Sequence, residues 1–325
     1  MATLAIWCNA RLSDQATAIL SAGVGPHRLM MTAQRTGNLS PGTADPQLAA
    51  ADIAFGQPDP RQVIELQNLH WVHLSSAGYT RYDLPELFAA LRRREAVLTN
   101  SSHVFDEPCA QHLLAFMLAQ ARQIPRSLIN QSGPRQWITW ELRPQCRLLL
   151  GQSVVFLGFG AIARRLVEML GPLRMNLVAV RRTPRGDEPI PVHPFDHLPR
   201  LLPTADHVVN VLPDSPATAR LINASHFSAM NSSAVFYNVG RGTTVDQDAL
   251  IAALRAGKLG AAYLDVTDPE PAAPDDPIWS APNCWITPHT AGGHQDEHER
   301  VVRHFLDNLR RFEDGSPLLD RVSVE

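Results

Sequence analysis

The chain predicts an α/β protein built from two doubly wound parallel-sheet domains. Three observations carry that prediction. Short apolar runs alternate with amphipathic helical patterns along most of the length. Several runs are continuously apolar, as strands covered on both faces are. The length, 325 residues, accommodates two domains of about 100–200 residues each.

The first unit opens with a strand at Leu4–Trp7 and a helix near Asp14–Ala22, for which Ser13 is a good N-cap. Further strands are expected at His27–Met31, Ile53–Phe55, Val72–Ser75 and Val97–Leu98. A long helical pattern, Glu107–Arg122, places Ala110, Leu113, Leu114, Met117 and Leu118 on one apolar stripe. Pro108 suits the first turn of that helix, where its missing N–H costs little. Such a helix can bridge two domains. Gln131–Gln145, rich in Trp, Arg and Pro, reads as a loop or arm. The second unit has strands at Val154–Leu157, Leu177–Val180, Val208–Leu212, Ala234–Asn238, Ala261–Asp265 and Trp285–Thr287, and a polar helix closes the chain at Asp296–Arg311.

Composition narrows the function classes. Hydrophobic content is 45% and charged content 19%, ordinary for a globular protein. Net charge is −3 and, apart from Arg181-Arg182-Thr183-Pro184-Arg185, the basic residues are scattered, so no nucleic-acid partner is expected. Cys8, Cys109, Cys146 and Cys284 are far apart, which argues against a disulfide or zinc framework; reduced thiols, a cytoplasmic location and no metal are expected. Met1–Ala10 lacks the basic start of a signal peptide. No apolar stretch approaches the ~20 residues that a membrane helix needs, and no membrane partner is expected.

The segment Val154–Ala163 reads as strand, then Gly158-Phe159-Gly160-Ala161-Ile162-Ala163 in a G-x-G-x-x-A pattern, then helix. Gly158 permits the tight turn, Gly160 the approach of a pyrophosphate, and Ala163 close helix–strand packing. Backbone N–H groups at the helix start would hold the anion. The motif is weak when bare, but here its strand and its amphipathic helix, with Ile162, Leu166 and Leu170 on one face, are both present. The next strand ends at Arg181, Arg182 and Thr183, where NAD-binding sites usually carry an acidic residue for the ribose. Guanidinium groups grip a 2′-phosphate instead. The expected cofactor is therefore NADP(H), with NAD(H) still possible.

Three polar residues each follow a strand, where open α/β sheets collect their chemistry. Arg241 lies between Gly240 and Gly242, and its planar fork matches a carboxylate. Glu270 is bracketed by Pro269 and Pro271, and His289 follows Thr287-Pro288. Each has a bland alternative: a surface arginine, a proline-rich loop, a structural histidine. As a set they suit an anionic substrate and acid–base chemistry. A Glu beside a His raises the imidazole pKa and selects its tautomer.

On these motifs the chain resembles the D-isomer-specific 2-hydroxyacid dehydrogenase family, from roughly Ile64 to Leu309. The resemblance is strongest in Val154–Ala163, Asn238–Val245, Ala261–Pro271 and Thr287–Gly292. It is weaker in Ser75–Gly78, Asn100–Val104, and Leu212-Pro213 with Thr218. It implies a Rossmann cofactor domain, residues 101–289, inserted in a flavodoxin-like substrate domain, residues 1–100 and 290–325. It implies that Arg241, Glu270 and His289 are catalytic. Ser76, Ala77 and Gly78 would bind the substrate carboxylate with Arg241. Besides Gly158, Phe159, Gly160, Ala161 and Ile162, it implies cofactor contacts at Leu212, Pro213, Thr218, Val239, Gly240 and Gly292, with Asp265 meeting the nicotinamide carboxamide. A homodimer joined mainly through the cofactor domains is implied as well, and the Arg135–Arg143 arm, with Trp137 and Trp140, would reach toward the neighbour. Gln111, His103 and the Gly293-His294 pair depart from the usual pattern, so the substrate transfers least securely. The arginines at 181 and 182 resemble those of NADPH-using glyoxylate and hydroxypyruvate reductases of the family. The expected activity is NADPH-dependent reduction of a small 2-keto acid to the D-2-hydroxy acid. The alternatives are a cofactor-sensing binding protein of the corepressor kind, without significant turnover, and formate or phosphite oxidation, of which the former usually pairs its histidine with Gln.

Overall fold

The computed structural model describes residues 3–322. It divides into two compact units: residues 1–105 with 293–325, and residues 106–292. The sequence reading places the two boundaries a few residues earlier.

The first unit carries a five-stranded sheet of β1 (Ala5–Ala10), β2 (Arg28–Thr36), β3 (Ile53–Gly56), β4 (Trp71–Leu74) and β5 (Val97–Thr99), in the order β2-β1-β3-β4-β5. Every pairing is parallel, and this order is the flavodoxin-like one. β1, β3 and β4 are buried along their whole length, which is why they read as continuous apolar runs. β2 extends to Thr36, beyond its expected end at Met31. It lies at the sheet edge, where polar side chains such as Gln34 and Arg35 remain exposed at little cost. Ser13 caps the Asp14–Gly23 helix by accepting from the Ala16 N–H. One sheet face packs on the Glu297–Glu313 helix, whose Phe305 ring stacks 4.3 Å from Phe55 and 5.2 Å from Trp71.

The second unit carries seven parallel strands: β6 (Ser153–Leu157), β7 (Asn176–Val180), β8 (Val192–His193), β9 (His207–Asn210), β10 (Val235–Asn238), β11 (Ala261–Leu264) and β12 (Cys284–Ile286). Their order is β12-β11-β10-β9-β6-β7-β8. The chain winds outward in one direction from β6 and in the other from β9, so β6 and β9 flank the point of reversal, where doubly wound sheets bind ligands. Two apolar clusters cover the two faces, one around Val155, Val208 and Phe236, the other around Phe156, Val209 and Tyr237. The alternation of neighbouring residues between clusters is the two-residue strand period.

Four local expectations need correction. The long helix runs Ser102–Ala121, so Pro108 lies inside it and not in its first turn. The ring removes one backbone hydrogen bond there, but the flanking turns hold. Leu118 is 42% exposed, which takes it off the buried stripe of Ala110, Leu113 and Met117. The expected arm contains a helical turn at Thr139–Leu142, and helix Ile124–Ser132 runs into its start. Strands β9 and β11 end at Asn210 and Leu264; the residues after them leave the ladder to shape loops. β8, only two residues long, carries no readable period. Among the described residues no helix is long and apolar enough to cross a membrane, and no cluster of side chains is arranged to hold a metal ion.

Candidate active site

The loops that follow β10, β11 and β12 carry Arg241, Glu270 and His289, all within the second unit. Parallel pairing puts these loops at the same edge of the sheet.

The Arg241 turn is fixed through its backbone. Asn238 Nδ2 donates to the Arg241 carbonyl at 3.1 Å, and Thr244 Oγ1 donates to the same oxygen at 2.7 Å. The Gly240 N–H donates to Asn238 Oδ1 at 3.0 Å. Asn210, at the end of β9, donates to Asn238 Oδ1 at 3.1 Å and to Thr244 Oγ1 at 2.7 Å. Asn210 and Asn238 are fully buried; each net hydrogen bond contributes about 1 kcal/mol, and losing a partner inside costs more. Gly242 has a steric reason. A Cβ there would lie 1.9 Å from the Thr267 carbonyl oxygen, so only glycine lets this turn rest against the loop after β11. The Arg241 guanidinium donates to the Gly240 carbonyl at 2.7 Å.

In the next loop both X–Pro bonds around Glu270, Asp268–Pro269 and Glu270–Pro271, are cis. Thr267 Oγ1 donates to the Pro269 carbonyl at 2.8 Å. Glu270 Oε1 lies 2.5 Å from His289 Nδ1. The carboxylate accepts, so Nδ1 carries the hydrogen and Nε2 faces away from the pair. The side chains are 37% and 24% exposed, and a pair this wet stabilises the fold by at most about 1 kcal/mol. Its consequence is orientation. His289 has φ +52°, a left-handed conformation that costs a non-glycine residue about 1–2 kcal/mol and is retained only where the surroundings impose it.

Those surroundings centre on Asp265, the residue after β11 and 3% exposed. The His289 N–H donates to the Asp265 carbonyl at 2.9 Å. The Thr290 N–H donates to Oδ1 at 2.8 Å and the Ala291 N–H to Oδ2 at 3.0 Å. Thr287 Oγ1 donates to Oδ1 at 2.6 Å. Behind Thr287 stands His112 of the Ser102–Ala121 helix, its Nε2 at 3.1 Å from Thr287 Oγ1. Burial lowers the His112 pKa, with Asp265 opposing.

The glycine turn after β6 has the expected shape. Gly158 has φ +92°. Gly160 caps the Ala161–Leu170 helix without any side-chain cap, and a Cβ added to it would meet nothing within 4 Å. That helix start therefore presents its backbone N–H groups to open space, which fits a pyrophosphate. Ala163, Leu166 and Leu170 are fully buried, and Ile162 packs at the margin of the same cluster. Phe159 is buried, with the Arg164 guanidinium 5.0 Å from its ring centre. Arg181 follows β7 and pairs with Glu188 at 3.2 Å. Glu188 also accepts from the Arg185 and Gly186 N–H groups; the Arg185 bond is the main reason its pKa is lowered. The Arg181–Glu188 loop is thus closed on itself, with Arg182 and Thr183 exposed.

Other expected residues have visible local roles. Leu212 and Val239 are buried beside the strand ends. The Thr218 hydroxyl donates to the Pro213 carbonyl at 2.7 Å, closing the turn between them. Ser76, Ala77 and Gly78 follow β4 in the first unit. Ser76 Oγ donates to the Gly78 carbonyl at 2.7 Å, and Asn100 Nδ2 donates to the Ala77 carbonyl at 2.7 Å. His103 is bound to Asp320, and its backbone N–H donates to the same carboxylate at 2.9 Å; it fastens the end of the chain within the first unit. Gln111 donates to Glu107 one helical turn back. Sequence reasoning missed His112, Thr287, Asn210, Glu188 and the backbone duty of Asn238. A usable signal existed for the asparagines, since a polar amide ending an apolar strand needs a buried partner. His112 carried none, because its partner is 175 residues away.

A model of the D-isomer specific 2-hydroxyacid dehydrogenase NAD binding domain matches residues 114–291. The glyoxylate/hydroxypyruvate reductase B of Citrobacter koseri is 30% identical over 299 residues, covering 87% of this chain and 89% of that protein. The human glyoxylate reductase/hydroxypyruvate reductase is 31% identical over 262 residues, 79% of this chain and 78% of that one. Among solved structures, a D-isomer specific 2-hydroxyacid dehydrogenase from Xanthobacter autotrophicus Py2, in complex with NADPH and MES, superposes with a TM-score of 0.82 at 26% identity, covering 99% of this chain and 98% of that one.

Proposed function

The chain belongs to the D-isomer specific 2-hydroxyacid dehydrogenase family, and on that premise we propose that it reduces a small 2-keto acid, of the glyoxylate or hydroxypyruvate kind, to the D-2-hydroxy acid with NADPH. Membership makes it an oxidoreductase that uses a nicotinamide cofactor. The acid–base part of that reading is supported above all by one observation: Glu270 engages His289 Nδ1 at 2.5 Å, which leaves Nε2 on the side of the ring away from the carboxylate.

Arg241 grips the substrate carboxylate through its planar fork and polarises the adjacent carbonyl. Its backbone is held by Asn238 and Thr244, and its guanidinium rests on the Gly240 carbonyl, which limits what must be ordered on binding. Gly158–Ile162 would hold the dinucleotide, whose reduced nicotinamide would supply the hydride for the carbonyl carbon. His289 acts as the imidazolium, with a hydrogen on each nitrogen; as the carbonyl π bond opens, the electron pair moves to oxygen, which takes the Nε2 proton and leaves a neutral imidazole with Nδ1–H on Glu270. Glu270 accepts from Nδ1 before and after the transfer and so fixes the ring orientation that it needs. Positioned acid catalysis of this kind contributes about 10²–10⁴-fold.

NADPH preference is supported by Arg181 and Arg182 at the end of β7, in a loop that Glu188 holds closed. The related Xanthobacter protein was solved with NADPH. The names of the bacterial and human relatives support the substrate class. A homodimer is supported by the arm, where Trp137 is 95% and Trp140 81% exposed; light scattering on the purified protein checks it. The activity is tested by following NADPH loss with a panel of 2-keto acids, with NADH in parallel. Turnover of a small keto acid with NADPH well ahead of NADH is expected. A wide preference for NADH overturns the role given to Arg181 and Arg182, and no turnover of any keto acid overturns the reaction.

A further inference from the structure

We propose that Asp265, backed by Thr287 and His112, is a buckle that holds the His289 loop in its reactive conformation, making Asp265 and His112 positioning residues for the proton transfer. The inference rests on the reading of His289 as the acid, and its test keeps the two apart.

Three consecutive backbone N–H groups, those of His289, Thr290 and Ala291, all end on Asp265. The first meets its carbonyl and the next two meet one carboxylate oxygen each. Successive N–H groups around a left-handed residue form a concave anion site, and here the anion is supplied by the neighbouring strand. His289 is that left-handed residue. The buckle therefore imposes the conformation that the loop would otherwise relax. Thr287 Oγ1 occupies Oδ1 as well, so both carboxylate oxygens are committed to residues 287–291.

The hydrogen count extends the chain to His112. An ionised carboxylate only accepts, so the single hydroxyl hydrogen of Thr287 goes to Asp265. Thr287 Oγ1 is then an acceptor toward His112, and His112 Nε2 must carry a hydrogen. His112 sits half-buried against the Phe116 ring, 4.4 Å between centres, which fixes its plane. The order is His112 Nε2–H to Thr287 hydroxyl, Thr287 hydroxyl to Asp265 carboxylate, and Asp265 to the backbone on both sides of the imidazole's attachment point. A helix of the unit thereby sets the position of a loop at the sheet edge.

The experiment compares D265N, T287V, H112L and H112Q with the parent protein. Amide hydrogen exchange of the 287–291 segment is measured without cofactor, alongside kcat, KM and NADPH binding. Asn keeps the shape of Asp265 but turns one acceptor into a donor that faces another donor. D265N should speed exchange of the segment at least about tenfold and lower kcat about 100-fold, as small misplacements of a reacting group do. H112L should lower kcat about five- to tenfold, the effect of one lost hydrogen bond, with NADPH affinity unchanged. H112Q restores a donor at similar reach and should recover most of that loss. Unchanged exchange in D265N together with weakened NADPH binding overturns the buckle and leaves Asp265 as a cofactor contact. If D265N does not fold, T287V and H112L decide: parental exchange and kcat in both overturn the proposal. Full turnover in H289A defeats the acid role of His289, whereas the exchange data still decide the buckle.

Discussion

The turn after β10 and the loop after β12 each present one chemical group at the same sheet edge, but they are held by different means. The Arg241 turn is secured by neutral amides and a hydroxyl, Asn210, Asn238 and Thr244, and by the close approach that Gly242 allows. The His289 loop is secured by a buried carboxylate, Asp265. The difference follows the charge of what is presented. Neutral amides hold the backbone of a cation without adding a negative charge with which a substrate carboxylate would compete. An imidazole that gives up a proton, as proposed for His289, tolerates carboxylates nearby, and the loop uses one at its backbone and another, Glu270, at its ring.

The largest expected effect is at the end of the proton path. His289→Ala should lower kcat about 10²–10⁴-fold while NADPH binding, read by fluorescence titration, stays near the parental value. Next is Arg241→Ala, which should raise KM for the keto acid about 100-fold, the weight of a charge-assisted fork, and lower kcat as well, because the carbonyl loses its polarising cation; an unchanged KM would overturn its role in binding. Asn238→Ala leaves the Arg241 carbonyl with one donor fewer. It should destabilise the second unit by about 1–3 kcal/mol and raise KM only severalfold, seen by chemical denaturation and steady-state kinetics. A kcat effect as large as that of D265N would erase the distinction between the two loops.

The smallest effect serves as a control far from both loops. His207 starts β9, at the opposite end of the strand from Asn210, and contacts Tyr237 and Gln152. Burial, its main cause, lowers the His207 pKa to about 4. Below its unfolded value of about 6.5 the unfolded chain binds the proton and the folded chain does not. Stability should therefore fall as pH drops from about 6.5 toward 4, by at most about 3 kcal/mol. His207→Gln should flatten that slope in a pH series of denaturation curves and leave kcat at neutral pH unchanged.

Much of this was legible along the chain because it is local. Continuous apolar runs such as Ile53–Phe55 and Val154–Leu157, bounded by turn residues, read as strands buried on two faces, and they are strands. The turn Gly158–Ala163 joins a strand to an amphipathic helix, the context that gives its glycine spacing meaning. Arg241, Glu270 and His289 stood out because each follows its strand within a few residues. Edge and corner features were less legible. β2 hides its length because an edge strand needs no apolar face, and Pro108 is read as a helix start when the flanking turns in fact continue the helix through it.

By itself, then, the sequence determined the α/β layering, the glycine turn after β6 and the identity of the groups offered at the strand ends, since these depend on period and spacing over a few residues. Only the tertiary structure decided how those groups are held: that Glu270 takes Nδ1 of His289, that Asp265 gathers three successive amides, and that His112 stands behind Thr287. Such bonds join residues distant in the chain, and hydrogen-bond geometry is set by the register of neighbouring strands and helices, which no local pattern encodes.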